Sequence, residues 1–411
     1  MQDQPPLLPR RKTFAALSYP NYRLWFFGQM TSLFGTWMQS TAQAYLVFQI
    51  THSEAYLGYV GFASGIASWI FMLYGGVVAD RVPRRKLLVV TQSLSMLLAF
   101  VLAVLTFTGV VVPWHIIVLA FCLGVVNAFD APARQSFVLE MVERHVLTNA
   151  IALNSTMFNM AVAIGPAIGG LTYALFGPGW CFTINGLSFV AVIVALGAMK
   201  LAPRTLPPVK RSTFAEIRVG LAAVGSDRRI LGIILLLAAL SLFGMSFAVL
   251  MPAWAVQVLG GDARTNGFLQ SARGIGALLA ALGIASFAHR RFKGKLVTAA
   301  SFALPVALLL FSLTRTLPLS LLMLLAVGST NIVVNNLANS LVQGLVPDAV
   351  RGRVMGVYML AFFGIMPVGA LLAGGLATAL GAPLTVAISA VGFLGCSIAI
   401  AVAVPGIRRL G

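Results

Sequence analysis

The chain has 411 residues, of which 59% are hydrophobic and only 9% are charged, whereas about a quarter of the residues in a soluble domain are charged. This composition excludes an ordinary soluble enzyme and predicts a membrane protein with many spanning helices. The formal net charge of +18 would suit a nucleic-acid partner if it lay on one soluble face. The bases are instead divided among short loops, so no nucleic-acid partner is predicted.

Twelve apolar spans can be recognised, and each has about 20 residues or more, which is enough for a membrane-spanning helix. The predicted fold is therefore all-α, with many antiparallel helices and no sheet. The spans are 24–50, 56–79, 87–109, 114–133, 147–175, 180–199, 230–257, 266–288, 296–314, 318–344, 354–379 and 382–405.

The Lys and Arg residues are divided unequally between the two sides of the predicted bundle. Of these 28 residues, 25 lie in the tails and in alternate loops, only Arg264 and Arg315 lie in the opposite loops, and Arg273 lies within a span. Positively charged loops stay in the cytoplasm. We therefore expect a multi-pass membrane protein with both termini cytoplasmic. The basic, proline-rich start has no cleavage pattern, so no removed signal peptide is expected.

The sequence repeats weakly at an offset of 204 residues, which predicts two pseudo-symmetric six-helix bundles. Among the matching pairs are Asn127 with Asn331, Gly165 with Gly369, and Gly177 with Gly381. The predicted division is an N-terminal tail (1–23), a first bundle (24–200), a linker (201–229), a second bundle (230–405) and a C-terminal tail (406–411). The linker begins with APRTLPPVKR and continues with apolar residues at helical spacing. We expect an amphipathic helix there, lying at the membrane surface.

The first span carries uncharged polar residues in GTWMQSTAQAYLVF, including Gln39 and Gln43. These two are four apart and share one helical face. In lipid such groups need partners or water, so the face should point into the bundle. Two interpretations remain open, which are lining of a substrate path and hydrogen bonding between helices.

The segment from Gly75 to Lys86 joins the second and third spans, where an apolar run ends and a basic one begins. It resembles the loop signature between helices two and three of the major facilitator superfamily, although Pro83 stands where the family usually has glycine. The matching residues are Gly76, Asp80, Arg81, Arg84, Arg85 and Lys86. The resemblance implies a bundle of twelve helices with the substrate site between its halves.

The resemblance also implies a partner for Asp80, which is the N-terminus of helix eleven, near residues 352–354. Amide groups and the helix dipole favour a carboxylate at such an end. This contact would latch the cytoplasmic side closed in one conformation and break in the other. The alternative is that the loop bases only anchor the loop at the membrane surface.

The fourth span ends with Asn127, Asp130 and Arg134 at intervals of three and four, so they share a face. Asp130 can pair with Arg134 in its own helix, or with Arg81 or Arg84 across an interface. We interpret Asp130 and Arg134 as an extension of the latch. An ordinary role at the end of the helix is the alternative.

The fifth span contains AIGPAIGG, in which Gly165, Pro166, Gly169 and Gly170 resemble the family's fifth-helix signature. Pro166 removes a backbone hydrogen bond, and glycines four apart allow close helix contact. The expected result is a tight, bent seam. The family associates this signature with exporters that exchange substrate against protons.

Arg273 is the only full charge well inside a predicted span, roughly 10 Å from its outer end at ~1.5 Å per residue. Such a residue is a functional candidate by default. It can bind an anionic group of a substrate, pair with Asp262, or reach carbonyl groups at the membrane surface. In the tenth span Asn331, Asn335 and Asn339 form a stripe at four-residue spacing. The candidate substrate-binding residues are thus Gln39, Gln43, Asn127, Arg273, Asn331, Asn335 and Asn339.

Three further segments resemble the family's exporter branch, which includes enterobactin and macrolide or multidrug efflux proteins: GTWMQSTAQAYLVF, FDAPARQSFV and VPDAVRGRVMGVYMLAFFGIMPVGALLAGG. The resemblance implies secondary active export of a small organic compound, such as a drug, siderophore or metabolite, by alternating access. It implies exchange against protons, a monomer in the lipid bilayer, and no cofactor or metal.

None of the ten acids lies at the centre of a predicted span. The proton carrier would then be a peripheral acid, His52, His115 or the substrate itself. An importer or an uncoupled facilitator therefore stays open as an alternative. An enzyme is not expected, because the four scattered His residues offer no catalytic or metal-binding set. A sensor is less favoured, because no loop is long enough for an output domain.

Overall fold

A computed structural model describes residues 14–201, 213–286 and 292–410. The first half contains six long helices: α1 Pro20–Thr51, α2 Glu54–Arg81, α3 Arg84–Phe107, α4 Pro113–Phe137, α5 Leu147–Phe176 and α6 Pro178–Ala198. After these come α7 Thr213–Ser226, α8 Arg228–Ala239, α9 Met251–Ala253, α10 Ala263–Ser286, α11 Lys293–Leu313, α12 Leu317–Leu345, α13 Asp348–Leu380 and α14 Ala382–Ala403. Proline at the first position starts α1, α4 and α6, where its missing N–H costs nothing.

Eleven segments of the described chain are both long and apolar enough to cross a membrane, and Arg228–Val258 is one of them. The prediction of an all-α polytopic membrane protein is thereby confirmed. The remaining helix of the predicted twelve is α1. With 32 residues it is long enough to cross at ~1.5 Å per residue, but its polar series makes it less apolar than the others.

The apolar run 230–257 predicted one regular helix for the seventh span, but the helix in the structure is irregular. After α8 it continues as a π-helical turn (Leu240–Gly244), a 3₁₀ segment (Ser246–Leu250), α9 and a second π turn (Trp254–Val258). Such turns are rare in α-helices and occur often at functional sites. Hydropathy cannot reveal them, because the backbone changes its hydrogen-bond pattern while the side chains stay apolar.

The two halves have matching local structure at the positions of the repeat. Gly177 ends α5 with φ +86° and Gly381 ends α13 with φ +78°, a region open mainly to glycine. Gly165 and Gly369 both lie against the first helix of their own half, at Trp37 and at Leu242. The repeat found in the sequence is therefore a repeat of helix packing.

Helix contacts divide the molecule in the same way. In the first half α1 packs on α5 and α6, and α2 and α3 pack on α4; in the second α10 and α11 pack on α12, and α11 packs on α14. The main contacts between halves are α2 with α13 and α5 with α10. We call the end of the bundle where α2 meets α3 the basic end, and the end where α1 meets α2 the neutral end.

The linker contributes the predicted helix, α7, which lies on α13. A Cβ at Gly220 would come within 2.6 Å of the carbonyl oxygen of Arg353, so the two helices touch closely. The proline-rich part of the linker lies outside the described residues. Asp227 begins the next helix, where its carboxylate accepts the Arg229 N–H at 2.8 Å. The Arg229 side chain and this N–H hold the pKa of Asp227 below its usual value.

Candidate functional site

The loop between α2 and α3 places Asp80 and Arg84 at the basic end. The Asp80 side chain is 57% exposed, and its carboxylate lies 3.8 Å from the Arg84 guanidinium. Arg84 is buried and makes its shorter contacts to α4 and the turn that follows, with Glu140 at 3.1 Å and the Ser136 carbonyl at 3.0 Å. Sequence reasoning missed Glu140, because it lies 56 positions away and has no motif around it.

The predicted contact of Asp80 with helix eleven is not made in this conformation. That helix, α13, begins at Asp348, about one turn before the predicted position near residues 352–354. Within the described chain, Gly76 and Gly352 have open space where a Cβ would lie. Gly75 makes a close approach, but to the Ala128 carbonyl of α4. Gly75 thus serves helix packing within the first half, and the latch stays a prediction for another conformation.

Asp130 lies in a buried polar cluster between α3 and α4, with only 3% of the residue exposed. One of its oxygens accepts hydrogen bonds from Thr91 and Gln92, both at 2.8 Å. The other lies 3.4 Å from the Arg134 Nε one helical turn away. Of the partners considered from sequence, Arg134 is the one recorded. Thr91 and Gln92 were missed, because their polarity is ordinary for a spanning helix.

The helix-five glycines contact two different helices. Gly165 and Gly169 face α1, where added Cβ atoms would meet Trp37 and Met38. Gly170 faces α10, where a Cβ would lie 2.5 Å from the Ala263 carbonyl and 3.1 Å from the Gly267 Cα. Backbones can approach this closely only where side chains are absent.

Pro166 interrupts the backbone hydrogen bonds of α5 beside the contact with α10. The next residue, Ala167, donates its N–H to the Ser271 hydroxyl of α10 at 2.9 Å. A side chain of the other half thus satisfies a group beside the interruption. The proline and the seam form one interface.

The contact between α5 and α10 is one seam between the halves, and a second seam, between α2 and α13, repeats it. A Cβ at Gly374 of α13 would lie 2.7 Å from the Glu54 carbonyl and 2.8 Å from the Gly58 Cα of α2. Gly374 and Gly170 are 204 positions apart, and Gly58 and Gly267 are 209 apart. The α2–α13 and α5–α10 seams are therefore equivalent under the repeat, and both lie toward the neutral end.

The polar face of α1 has two different roles. Gln39 accepts a hydrogen bond from the Asn185 amide of α6 at 2.7 Å, so it joins helices rather than lining a path. Gln43 is buried, with 8% exposure, while Ser40 on the neighbouring face is exposed. The sequence left both interpretations open, and Gln39 takes the hydrogen-bonding one.

Other candidate binding residues keep accessible surface. Asn127 of α4 is exposed, and Asn331, Asn335 and Asn339 of α12 are half-buried. The Asn339 amide oxygen accepts a hydrogen bond from Gln343 at 2.5 Å. The structure thus separates Asn127 from Asp130, which shares its helix but is buried.

Arg273 is half-buried near the middle of α10, ten residues after Ala263. One interpretation of the sequence expected Arg273 to pair with Asp262, and the structure does not show this pair. That carboxylate lies 3.7 Å from Arg264, at the start of the same helix. The described residues contain no group of three or more His, Cys, Asp or Glu that could hold a metal ion.

Comparison with known proteins identifies the family. The sequence profile described as a transmembrane secretion effector matches residues 11–409. The chain belongs to the transmembrane secretion effector family. This match and the following relatives confirm the resemblance to the exporter branch of the major facilitator superfamily.

The relatives of this chain include two proteins named for the compound they transport or export and one multidrug efflux pump. The staphyloferrin A transporter of Staphylococcus aureus is 24% identical over 85% of this chain and 87% of its own length. The multidrug efflux pump Tap of Mycolicibacterium fortuitum is 27% identical, covering 86% and 88%. The enterobactin exporter EntS of Escherichia coli is 26% identical, covering 87% and 86%. The family to which the chain belongs and these relatives are thus transporters.

Solved structures match the fold. An inward-facing, unoccupied bacterial homologue of the human lysosomal transporter Spinster has a TM-score of 0.70 at 14% identity, covering 95% of both chains. The nucleoside transporter NupG has a TM-score of 0.69 at 15% identity, covering 96% of this chain and 100% of its own. At these identities the likeness concerns the fold alone.

Proposed function

We propose that this protein exports a small organic compound, such as a drug, siderophore or metabolite, across the inner membrane by alternating access in exchange for protons. The observation that carries the proposal is the position of the two seams. Both hold the halves together toward the neutral end, whereas the recorded ion-pair partner of Asp80 at the basic end is Arg84 of its own half. A bundle closed on one side only is one state of an alternating-access cycle.

The distribution of positive charge supports the orientation. The basic end carries the loop with Arg81, Arg84, Arg85 and Lys86, and such loops stay in the cytoplasm. The state described here would then be closed to the outside and open to the cytoplasm. We assign the bundles to 24–200 and 230–405, joined by a linker at 201–229, with both termini cytoplasmic.

Asp130 is the acid best placed to carry the proton. It is buried and bonded to groups of two helices, so a change in its charge would change the contacts of both. An uncoupled facilitator is the second candidate, because Asp130 lies between α3 and α4, about two turns before the end of α4 at Phe137, rather than midway between the halves. The names of the relatives, an exporter and an efflux pump, support the outward direction.

Flux into inside-out vesicles with an imposed pH gradient tests the proposal. The compounds would be a lipophilic cation, a macrolide and a catecholate siderophore, each compared with vesicles lacking the protein. We expect gradient-dependent uptake of at least one compound. Uptake that ignores the gradient would establish the facilitator instead, and uptake only into right-side-out vesicles would establish an importer.

Asp80→Asn separates a latch from a structural role. In the state described here, the long, exposed contact between Asp80 and Arg84 contributes little to stability, so the unfolding temperature should stay unchanged. Loss of the carboxylate should nevertheless lower vesicle flux several-fold, because the closed basic end would lose its contact with α13.

Asp262→Asn is the matched control for that experiment, because the Asp262 side chain is 56% exposed and its carboxylate lies 3.7 Å from Arg264, but at the neutral end of the bundle. It should leave flux near the wild-type rate. Wild-type flux in Asp80→Asn, with normal insertion in the membrane, would remove the latch from the mechanism.

A further inference from the structure

Arg273 occupies a helix crossing that has a counterpart in the first half. A Cβ at Gly328 of α12 would clash with the Arg273 carbonyl of α10, and a Cβ at Gly124 of α4 would clash with the Ser64 carbonyl of α2. Gly328 and Gly124 are 204 positions apart, and Arg273 and Ser64 are 209 apart, the same offsets as in the seams. Arg273 and Ser64 are therefore equivalent positions.

This equivalence shows what the crossing requires. Both crossings use the backbone carbonyl of the residue and a glycine on the facing helix. The first half makes its crossing with a serine, so a long charged side chain is not needed to hold the helices together. The guanidinium of Arg273 needs another explanation, because a charge in a membrane-spanning helix is costly.

The Arg273 side chain belongs to the interior face of α10. Asn266, Gln270 and Arg273 follow one another at intervals of four and three, so they share a helical face. Asn266 is fully buried, and its amide lies 3.5 Å from the Thr41 carbonyl of α1 and 3.4 Å from the Gln270 amide. This polar stripe therefore faces the other half of the molecule.

The opposite face of the same helix is apolar and exposed, as expected for contact with lipid. It is formed by Phe268, Ile275, Leu279 and Leu282, with 38% to 54% of each residue exposed. A helix with one exposed apolar stripe and one interior polar stripe has a fixed orientation. Arg273 is thus directed to the space between the halves and not toward lipid.

No acid of the described chain is recorded as neutralising Arg273. Six of the acids whose side chains are described form ion pairs with arginines: Asp80, Asp130, Glu140, Asp227, Asp262 and Asp348. A seventh, Glu143, lies 3.3 Å from the His145 imidazole. The eighth, Glu54, begins α2 at the neutral end, where its backbone forms part of a seam. No hydrogen bond of the Arg273 guanidinium is recorded among these residues either. An arginine keeps its charge in proteins, so this site presents a fixed positive charge.

We propose that Arg273 binds the anionic group of the transported compound, so that the substrates of this protein are organic anions. The neighbouring amides of Asn266 and Gln270 supply neutral donors and acceptors for the polar part of the compound. A bound carboxylate, sulfonate or phosphate provides the counter-charge that the chain does not. This inference rests on the proposed transport function and names the substrate class of its site.

Binding to the purified protein in nanodiscs tests the charge preference directly. The probes are 2-naphthoate, its neutral analogue 2-naphthamide, and the cation tetraphenylphosphonium, compared by calorimetry at constant pH and salt. Wild-type protein should bind the naphthoate at least tenfold more tightly than the amide. Equal binding of acid and amide, binding of the cation alone, or no binding of the naphthoate would each overturn the proposal.

Arg273→Ser is the decisive variant, since the equivalent crossing already uses Ser64. It should fold with a near wild-type unfolding temperature and lose the preference for naphthoate over naphthamide. Arg273→Lys should keep part of the preference, because the charge remains without the planar fork of donors. Retention of the full preference in Arg273→Ser would assign the anion to another residue.

Two controls separate the proposed anion site from the proposed transport function on which it rests. Arg315→Ser removes an arginine whose guanidinium donates to the Ser312 and Thr314 carbonyls at the end of α11, and should leave the preference unchanged. The vesicle flux described above tests transport itself. Flux of cations without flux of anions would keep the transport function and reject the anion site, whereas anion binding without flux of any compound would do the reverse.

Discussion

Gly374→Val is expected to abolish transport while leaving the protein folded in the membrane. The new side chain would enter the α2–α13 seam, where even a Cβ lies 2.7 Å from the Glu54 carbonyl and 2.8 Å from the Gly58 Cα. Both neighbours are backbone atoms and cannot rotate away. Overpacking of this kind typically costs about 1–3 kcal/mol, and about 3 kcal/mol would change the ratio of closed to open seams by roughly 100-fold.

Gly375→Val is the matched control, because the next residue has no neighbour within 4 Å of its added Cβ. Seam opening can be followed with a cysteine at Ala370, which is 4% exposed, in a protein whose native cysteines have been replaced. Maleimide should react with this cysteine much faster in Gly374→Val than in Gly375→Val. Equal reaction rates together with normal flux would mean that the seam is not a moving contact.

Asp130→Ala is expected to have the largest effect on stability. The change leaves the buried Gln92 amide without its recorded acceptor, leaves the Thr91 hydroxyl only the Leu88 carbonyl, and removes the recorded ion-pair partner of Arg134. Leaving a buried hydrogen-bonding group without a partner costs about 1–3 kcal/mol. We expect a clearly lower unfolding temperature in detergent and less protein in the membrane.

Asp130→Asn separates the charge from the hydrogen bonds. Its amide oxygen can still accept from Thr91 or Gln92, so stability should fall less than in the alanine variant. If Asp130 carries the proton, gradient-dependent flux should nevertheless fall at least tenfold. Asn127→Ala, at an exposed position of the same helix, should change neither stability nor the response to the gradient. Full coupling in Asp130→Asn would show that another group carries the proton.

Properties that depend on composition and spacing could be predicted from the sequence. Apolar spans, the repeat, the linker helix and the family all follow from local patterns, and the glycines of α5 were recognised as a close contact. Gly165 and Gly170 illustrate the limit of such patterns. The spacing indicated that backbones approach, but only the structure assigns Gly165 to α1 and Gly170 to α10.

Contacts between residues distant in sequence could not be predicted. Glu140 and Thr91 carry no motif, yet they hold Arg84 and Asp130. The π turns of the seventh span were missed because their side chains remain apolar. The latch depends on which conformation is occupied, and a sequence encodes every conformation of the cycle at once.

The backbone character of the two seams also determines how their opening can be adjusted. Apart from the hydrogen bond from the Ala167 N–H to the Ser271 hydroxyl, the attraction is a sum of many weak dispersion terms along the helices. The free energy that holds each seam closed therefore grows with the length of helix in contact. Each seam glycine exchanged for alanine would place a Cβ within 3 Å of the facing backbone, so even this smallest exchange would shift the balance away from the state in which the seam is closed. Because the repeat relates the two seams to each other, weakening either one alone would make the movement of the two halves against each other unequal on the two sides.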